Sequence, residues 1–590
     1  MSENKLTDLP VIKDYIYNTD TKNQILKYDR ENKLITRYPT VYIVIDKIRK
    51  NKFKAYVGET NNIIRRTEEH LKSEAEYRTD WLELNKSNDA KLIVIAHKEF
   101  NKSLTLDIEN QLMQYLVSDD AIVELNNRRS NDQDLYYTRE HFQDIFKSIW
   151  QGLFEKYSEI FPQIDDITNS AIFKASPFHK LTDEQLDARD KIIDNIQRIK
   201  KNHKDDNLII VQGSAGTGKT VLLSSLFAEL NKVNKQEAYM LVNHEEQLKI
   251  YKNISSKIGL KSSFGDDIVN KPTKFLNQHP VKNALIDANQ KVDIVLVDEA
   301  HLLLTQGYMA YKGKGQLEDI KKVAEVVVAV LDPMQVLKGN GYIEDDYFNN
   351  LIHKSLEDDN FIELTQQNRM MASADTINWI EDIVQKGVIG DIPNDDSYSL
   401  KIFDNVNEMY DEVKKHDDSI ESLTKGLSRL VATYDWEYKS GKLREYTNSR
   451  GEKVKDFWRV KIGDDFSLPW NRQIKPEHKY KDLSWAEQRQ TINEVGSTFT
   501  IQGFDLNYCG VIIGPSVKFR NGKIIYDSSC SFDTQVKNKR TLVNKKKVDI
   551  SSELIRNQLN VLLKRGVHGL FIYAVDEELR NELLSKYNQK

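Results

Sequence analysis

Apolar residues run unbroken from Val41 to Ile45, give way to a polar turn and resume at Ala55-Tyr56-Val57-Gly58, a pattern that predicts a β-hairpin. Ile63 to Leu71 has helical spacing, and Leu92 to Ala96 reads as a further strand. Leu106, Ile108, Leu112 and Leu116 recur at the interval of an amphipathic helix over Leu104 to Leu116. Together they predict a small α+β domain over residues 1–135, closed by the polar run Ser130-Asn131-Asp132-Gln133-Asp134. An aromatic-rich helical connector follows within residues 136–175.

From Ser176 the pattern changes. β-Branched runs at Leu208 to Gln212, Ala238 to Val242, Asp293 to Asp298 and Val326 to Leu331 alternate with helical stretches, which predicts a doubly wound parallel sheet over residues 176–355. A second alternating set, with Arg429 to Thr433, Val511 to Gly514 and Leu570 to Ala574, predicts another α/β lobe over residues 356–590. An insertion at about 438–485, rich in Lys, Arg, Tyr and Trp, interrupts it. Its tryptophans read either as packing or as platforms for unpaired bases.

A chain of 590 residues is too long for one core, which fits this division. Hydrophobic residues make up 39% and charged ones 30%, as in soluble globular proteins. No apolar run approaches the roughly 18 residues a membrane span needs, and MSENKLTDLP lacks the order of a signal peptide. A cytoplasmic protein is expected. The two cysteines, Cys509 and Cys530, have no histidine or cysteine close by at ligand spacing and support neither a disulfide framework nor a zinc site. A net charge of -5 excludes coating of nucleic acid by bulk attraction, so any polynucleotide is held by local patches.

Gly213-Ser214-Ala215-Gly216-Thr217-Gly218-Lys219-Thr220 follows a predicted strand and precedes a helical run, the context of a phosphate-binding loop. The glycines Gly213, Gly216 and Gly218 let backbone N–H groups close around phosphate oxygens. Lys219 meets the β/γ charge and the Thr220 hydroxyl reaches Mg²⁺. Ile294 to Val297 leads into Asp298-Glu299 at the end of a strand, where Asp298 would hold the magnesium and Glu299 would activate the attacking water.

Asp298-Glu299-Ala300-His301, Leu331-Asp332-Pro333-Met334-Gln335, Gln366-Gln367-Asn368-Arg369 and Thr500-Ile501-Gln502-Gly503-Phe504-Asp505, in this order, resemble the motif series of superfamily-one helicases. With Ser176 to Gln185 ahead of the loop and Leu562-Leu563-Lys564-Arg565-Gly566 near the end, the resemblance narrows to the bacterial Schlafen-type helicase-like family. It implies two RecA-like lobes that bind ATP. Gln185 would read the adenine, Gln335 would sense the γ-phosphate, and Arg369 and Arg565 would serve as arginine fingers. Asn243, His244 and Thr500 to Asp505 match positions that grip single-stranded nucleic acid in the family.

Upstream, Thr40-Val41-Tyr42 and Tyr56-Val57-Gly58, followed by Arg66, His70, Glu109 and Asn126 or Asn127, resemble the GIY-YIG endonuclease family. Thr40 stands where the first triplet has glycine. The resemblance implies a phosphodiesterase in which Tyr56 helps deprotonate water, Tyr42 and His70 support it, Arg66 clamps the phosphate and Glu109 carries one Mg²⁺ or Mn²⁺. The expectation for the whole chain is a nuclease-helicase: an ATP-dependent DNA translocase coupled to metal-dependent cleavage, in bacterial defence against phage or plasmid DNA. The alternatives are an ATP-gated sensor whose N-terminal domain only binds, an RNA-directed enzyme, or DNA repair.

Overall fold

A computed structural model describes residues 9–588 except 30–32, 77, 128–135, 169, 203–205, 215, 233–235, 263–266, 283–290, 306, 308–309, 333–344, 368–369, 419–426, 448–451, 481–482, 502–504, 538 and 542–546. The chain forms two compact units. One comprises Met1–Thr182, Thr220–Tyr239 and Lys249–Val269; the other comprises Asp183–Lys219, Met240–Leu248 and Asn270–Lys590.

In the first unit a five-stranded sheet has the order β1 (Val11–Ile16), β4 (Lys91–Ala96), β2 (Thr40–Arg49), β3 (Lys52–Thr60) and β5 (Ile122–Leu125). β2 and β3 are the expected hairpin, with Tyr42 opposite Gly58. The unbroken apolar run of β2 follows from two covered faces. Val41, Ile43 and Ile45 enter one core cluster and Tyr42 and Val44 another. Helices α1 (Thr21–Asp29), α2 (Leu34–Arg37), α3 (Ile63–Leu71) and α4 (Thr79–Lys86) contribute Ile25, Ile35, Ile63 and Trp81 to the cluster around Tyr42. α5 (Lys102–Ser118) contributes Leu104, Ile108, Leu112 and Leu116 to the opposite one. Asn62 and Asn101 cap α3 and α5 by accepting from the backbone N–H groups of Arg65 and Leu104. The predicted connector is a helix, Phe142–Lys156, whose Phe146 and Trp150 belong to the core under α5.

The same unit holds helical residues from beyond the phosphate loop. Ile254 and Ile258 join the core under α5. Lys232 Nζ donates to the Asn127 carbonyl at 2.8 Å, and buried Lys257 donates to the carbonyls of Val117 and Asp119 at the end of α5. Burial lowers the Lys257 pKa to about 8.

The second unit is α/β. A six-stranded sheet runs β11 (Phe361–Leu364), β6 (Leu208–Gly213), β10 (Ala324–Leu331), β9 (Val292–Asp298), β7 (Ala238–Val242) and β8 (Val269–Asn270). β6 pairs in parallel with β10 and β11, and β9 with β10. Another parallel sheet orders Ser399–Ile402, Gly566–Ala574, Leu506–Ile513, Arg429–Ala432 and Gly496–Ser497. The insertion folds as two hairpins, Arg444–Thr447 with Lys453–Asp456 and Arg459–Ile462 with Phe466–Pro469. Trp458, Trp470 and Trp485 are buried, so of the two readings open to them these three take packing. Among the described residues no helix is long and apolar enough to cross a membrane.

Candidate active sites

The nuclease candidates assemble where β2, β3 and α3 meet. Gly58 permits this: a Cβ there would lie 2.4 Å from the Tyr42 hydroxyl and ring, so the tyrosine packs flat on the neighbouring strand only because the side chain opposite is absent. Arg66 and His70 lie four residues apart on α3 and therefore share one face. Tyr42 Oη is 2.7 Å from His70 Nε2, with both side chains buried. On the other side of the imidazole, Nδ1 is 3.0 Å from Glu74 Oε2. A proton on Nδ1 donated to Glu74 leaves Nε2 free to accept from the Tyr42 hydroxyl.

Arg66 NH1 donates to Glu74 at 2.7 Å and to Glu69 at 3.2 Å. Its positive charge also acts on the Tyr42 and Tyr56 phenols. Trp81 stacks on His70 with centroids 3.7 Å apart and meets Tyr56 edge-on at 4.6 Å. Arg78 lies 5.9 Å from the Tyr56 ring and 3.6 Å from Glu74. Burial pushes both phenol pKa values up, and Arg66 opposes it. The site thus holds its tyrosines neutral beside a guanidinium that stabilises a phenolate.

Glu109 sits on α5, and its charge is felt by Tyr56 and Tyr42. Burial first, and then Glu59, raise its pKa to about 8, against Lys102 and Arg66. A carboxyl so short of positive charge suits a divalent cation. Among the described residues no group of three or more His, Cys, Asp and Glu side chains is gathered for a metal. Asn127 bonds both the N–H and the carbonyl of Val57 through its side-chain amide, fixing β3 next to Tyr56. Asn126 adds a backbone bond to Ala55.

In the phosphate loop Gly216 and Gly218 have φ of 98° and 78°, which favours glycine. Gln185 Nε2 donates to the Thr217 carbonyl at 3.1 Å and fills the space a Cβ on Gly218 would need. A Cβ on Gly213 would likewise lie 2.5 Å from the Thr217 hydroxyl. Lys219 Nζ rests on the carbonyls of Gly213 and Ser214 at 2.7 and 2.8 Å, with Asp332 at 3.5 Å. Thr220 is the second residue of the helix Lys219–Lys232. Asp298 accepts from the Glu299 N–H. Glu299 has a left-handed φ of 50°, an uncommon conformation outside glycine, and its Oε2 lies 3.1 Å from His301 Nε2 without hydrogen-bond geometry. The Asp332 N–H donates to His301 Nδ1, and burial lowers the His301 pKa, so the ring is neutral with its proton on Nε2 facing Glu299.

Arg565 is buried, with Nε on the Val561 carbonyl and NH1 3.9 Å from Asp505. Thr500 is buried on Ser497, and His244 Nε2 is 3.3 Å from the Phe499 carbonyl. Gln335, Arg369 and Gln502 to Phe504 lie outside the described residues. Sequence reading missed Glu74, Arg78 and Trp81 at the nuclease cluster, and His301 as the link between Glu299 and Asp332. Glu74 opens a separate short turn, Glu74–Glu76, beyond the end of α3, and neither it nor Trp81 carried a repeat signal.

A family model described as Schlafen group 3, DNA/RNA helicase domain, matches residues 206–576, and one described as GIY-YIG catalytic domain matches residues 38–116. The chain is 32% identical over 450 residues to the uncharacterized protein YPL245W of Saccharomyces cerevisiae, covering 68% of this chain and 90% of the yeast one. Alignments to solved structures include a Pif1 helicase from Candida albicans, with a TM-score of 0.26 and 12% identity over 70% of this chain and 99% of that one. Another is a structure described as the basis for DNA unwinding at forked duplex DNA by two coordinating Pif1 helicases, with a TM-score of 0.25 and 14% identity over 70% of this chain and 97% of that one.

Proposed function

The chain belongs to the Schlafen group 3 DNA/RNA helicase family and carries a GIY-YIG catalytic domain ahead of the helicase, and we propose on that basis that it is an ATP-driven DNA translocase that licenses metal-dependent cleavage by its own nuclease domain. The carrying observation is the buried chain Tyr42 Oη, His70 Nε2, His70 Nδ1, Glu74. It favours Tyr42, rather than Tyr56, as the group that activates water. Tyr42 passes its proton to His70, takes one from the attacking water, and returns to neutral as the hydroxide adds to phosphorus; Glu74 stabilises the imidazolium. Arg66 stabilises the phenolate and the charge gathering on the phosphate. Mg²⁺ or Mn²⁺ on Glu109 would stabilise the leaving oxygen.

ATP with magnesium would be held by Gly213, Gly216, Gly218, Lys219, Thr220 and Asp298, with Gln185 against the loop. Glu299, beside neutral His301, takes the proton of the hydrolytic water. Arg369, Arg565 and Gln335 remain the proposed sensors of the γ-phosphate. The pairing of a motor with a cutter suits destruction of invading phage or plasmid DNA, and repair uses the same chemistry.

The test is ATP hydrolysis stimulated by single-stranded DNA, with cleavage of labelled DNA that disappears in Arg66→Ala. Stimulation by RNA alone would transfer the mechanism to RNA. Activities untouched by Arg66→Ala would leave the N-terminal domain a binding module.

A further inference from the structure

One group at the nuclease cluster comes from outside the stretch that matches the GIY-YIG family, which begins at residue 38. Tyr17 follows directly on β1, its backbone N–H bonded to the Ala90 carbonyl at 3.0 Å ahead of β4. The side chain is 1% exposed and lies in the core cluster that holds Tyr42 and Trp81. Its ring is 6.1 Å from Trp81, the indole stacked on His70. The charged and titratable groups around its hydroxyl are Glu74, Tyr56 and Arg66. That hydroxyl is buried without a hydrogen-bond partner, and so is Trp81 Nε1. Leaving such a group unpaired is unfavourable, and native folds keep few of them.

The Arg66 geometry supplies a reason. In this structure a single guanidinium nitrogen, NH1, bonds both Glu69 and Glu74. A phosphate that is clamped through NH1 displaces these carboxylates from it. When the phosphate takes Arg66, Glu74, only 15% exposed, loses its shortest donor. Glu74 then rests on His70 Nδ1 and, at 3.6 Å, on Arg78, and would draw more strongly on His70 or turn from it toward Arg78.

We propose that Tyr17 is a positioning residue of the nuclease: its hydroxyl donates to Glu74 when Arg66 leaves for the scissile phosphate, and so keeps Glu74 on His70 Nδ1. One rearrangement then gives the orphaned hydroxyl a partner and the released carboxylate a donor. This rests on the nuclease reading above and extends the working site to the N-terminal strand.

The test uses the full chain, labelled duplex DNA, Mg²⁺ and ATP. Tyr17→Phe removes only the oxygen. The expected result is a fall in kcat of about tenfold, KM within about twofold, and a Tm equal to or above that of the wild type. In a Glu74→Gln background, where the charge Tyr17 serves is gone, Tyr17→Phe is expected to cost nothing further. An unchanged kcat in Tyr17→Phe, a Tm that falls with the activity, or equal losses in both backgrounds would overturn the proposal. Those outcomes leave the nuclease itself standing; a wild type that does not cleave removes the nuclease reading and this inference together.

Discussion

Tyr42 Oη and His70 Nε2 lie 2.7 Å apart with both side chains shut away from solvent. A phenol so buried is held neutral, and water activation needs somewhere for its proton to go. The imidazole is the acceptor within reach, and Glu74 behind it makes that transfer less costly.

Tyr42→Phe and His70→Ala should each lower cleavage by about 10²–10⁴. Because they remove parts of one relay, the double variant should cost little more than either alone. Single-turnover rates on labelled DNA measure this. Fully additive losses would separate the two residues.

Gly58→Ala places a methyl against the Tyr42 ring, where its carbon would sit 2.4 Å from it. The ring must shift, at a cost of about 1–3 kcal/mol in stability of that domain. Cleavage should fall as far as in Tyr42→Phe while ATP hydrolysis stays at the wild-type rate, which assays of both activities on one preparation will read.

Glu109 titrates at about 8 against 4.5 for an ordinary glutamate. Between those values the folded chain binds the proton that the unfolded chain releases, so the metal-free protein loses stability as pH rises from 4.5 towards 8. Metal needs the carboxylate, so apparent Mg²⁺ affinity for cleavage should rise over the same interval and level off above about pH 8. Tm against pH, with and without Mg²⁺, tests the first statement; cleavage against pH at several Mg²⁺ concentrations tests the second. Glu109→Gln should flatten both.

Glu299→Gln should bind ATP and hydrolyse it at least about 100-fold more slowly. His301→Ala removes the imidazole 3.1 Å from Glu299 and should give a smaller loss in kcat with little change in nucleotide affinity. Equal losses in both would mean that His301 does more than pack beside the carboxylate.

The strands and helices that carry Tyr42, Tyr56, Arg66 and His70 were legible because strict periods of two and 3.6 leave a mark in the sequence. The helix Ile63–Leu71 has the predicted bounds, and the strand ending at Asp298 begins one residue before the predicted one. β1 was not legible: Val11 to Ile16 places only Ile12 and Tyr15 inside, at an interval of three that breaks the strand alternation and suits a helix instead. Glu74 and Trp81 escaped notice for a different reason. Their roles come from packing between separate helices, and a carboxylate or an indole on a helix has many ordinary uses. His301 was visible as part of a motif, yet its tautomer is set by the Asp332 N–H, a contact between residues 31 positions apart.

The most direct measurement is cleavage of end-labelled forked DNA in Mg²⁺, with and without ATP, by the wild type, Arg66→Ala and Lys219→Ala. The account predicts ATP-dependent cutting by the wild type, none by Arg66→Ala despite intact ATP hydrolysis, and loss of both activities in Lys219→Ala. Cutting that survives Arg66→Ala, or that proceeds at the full rate in Lys219→Ala, would contradict it.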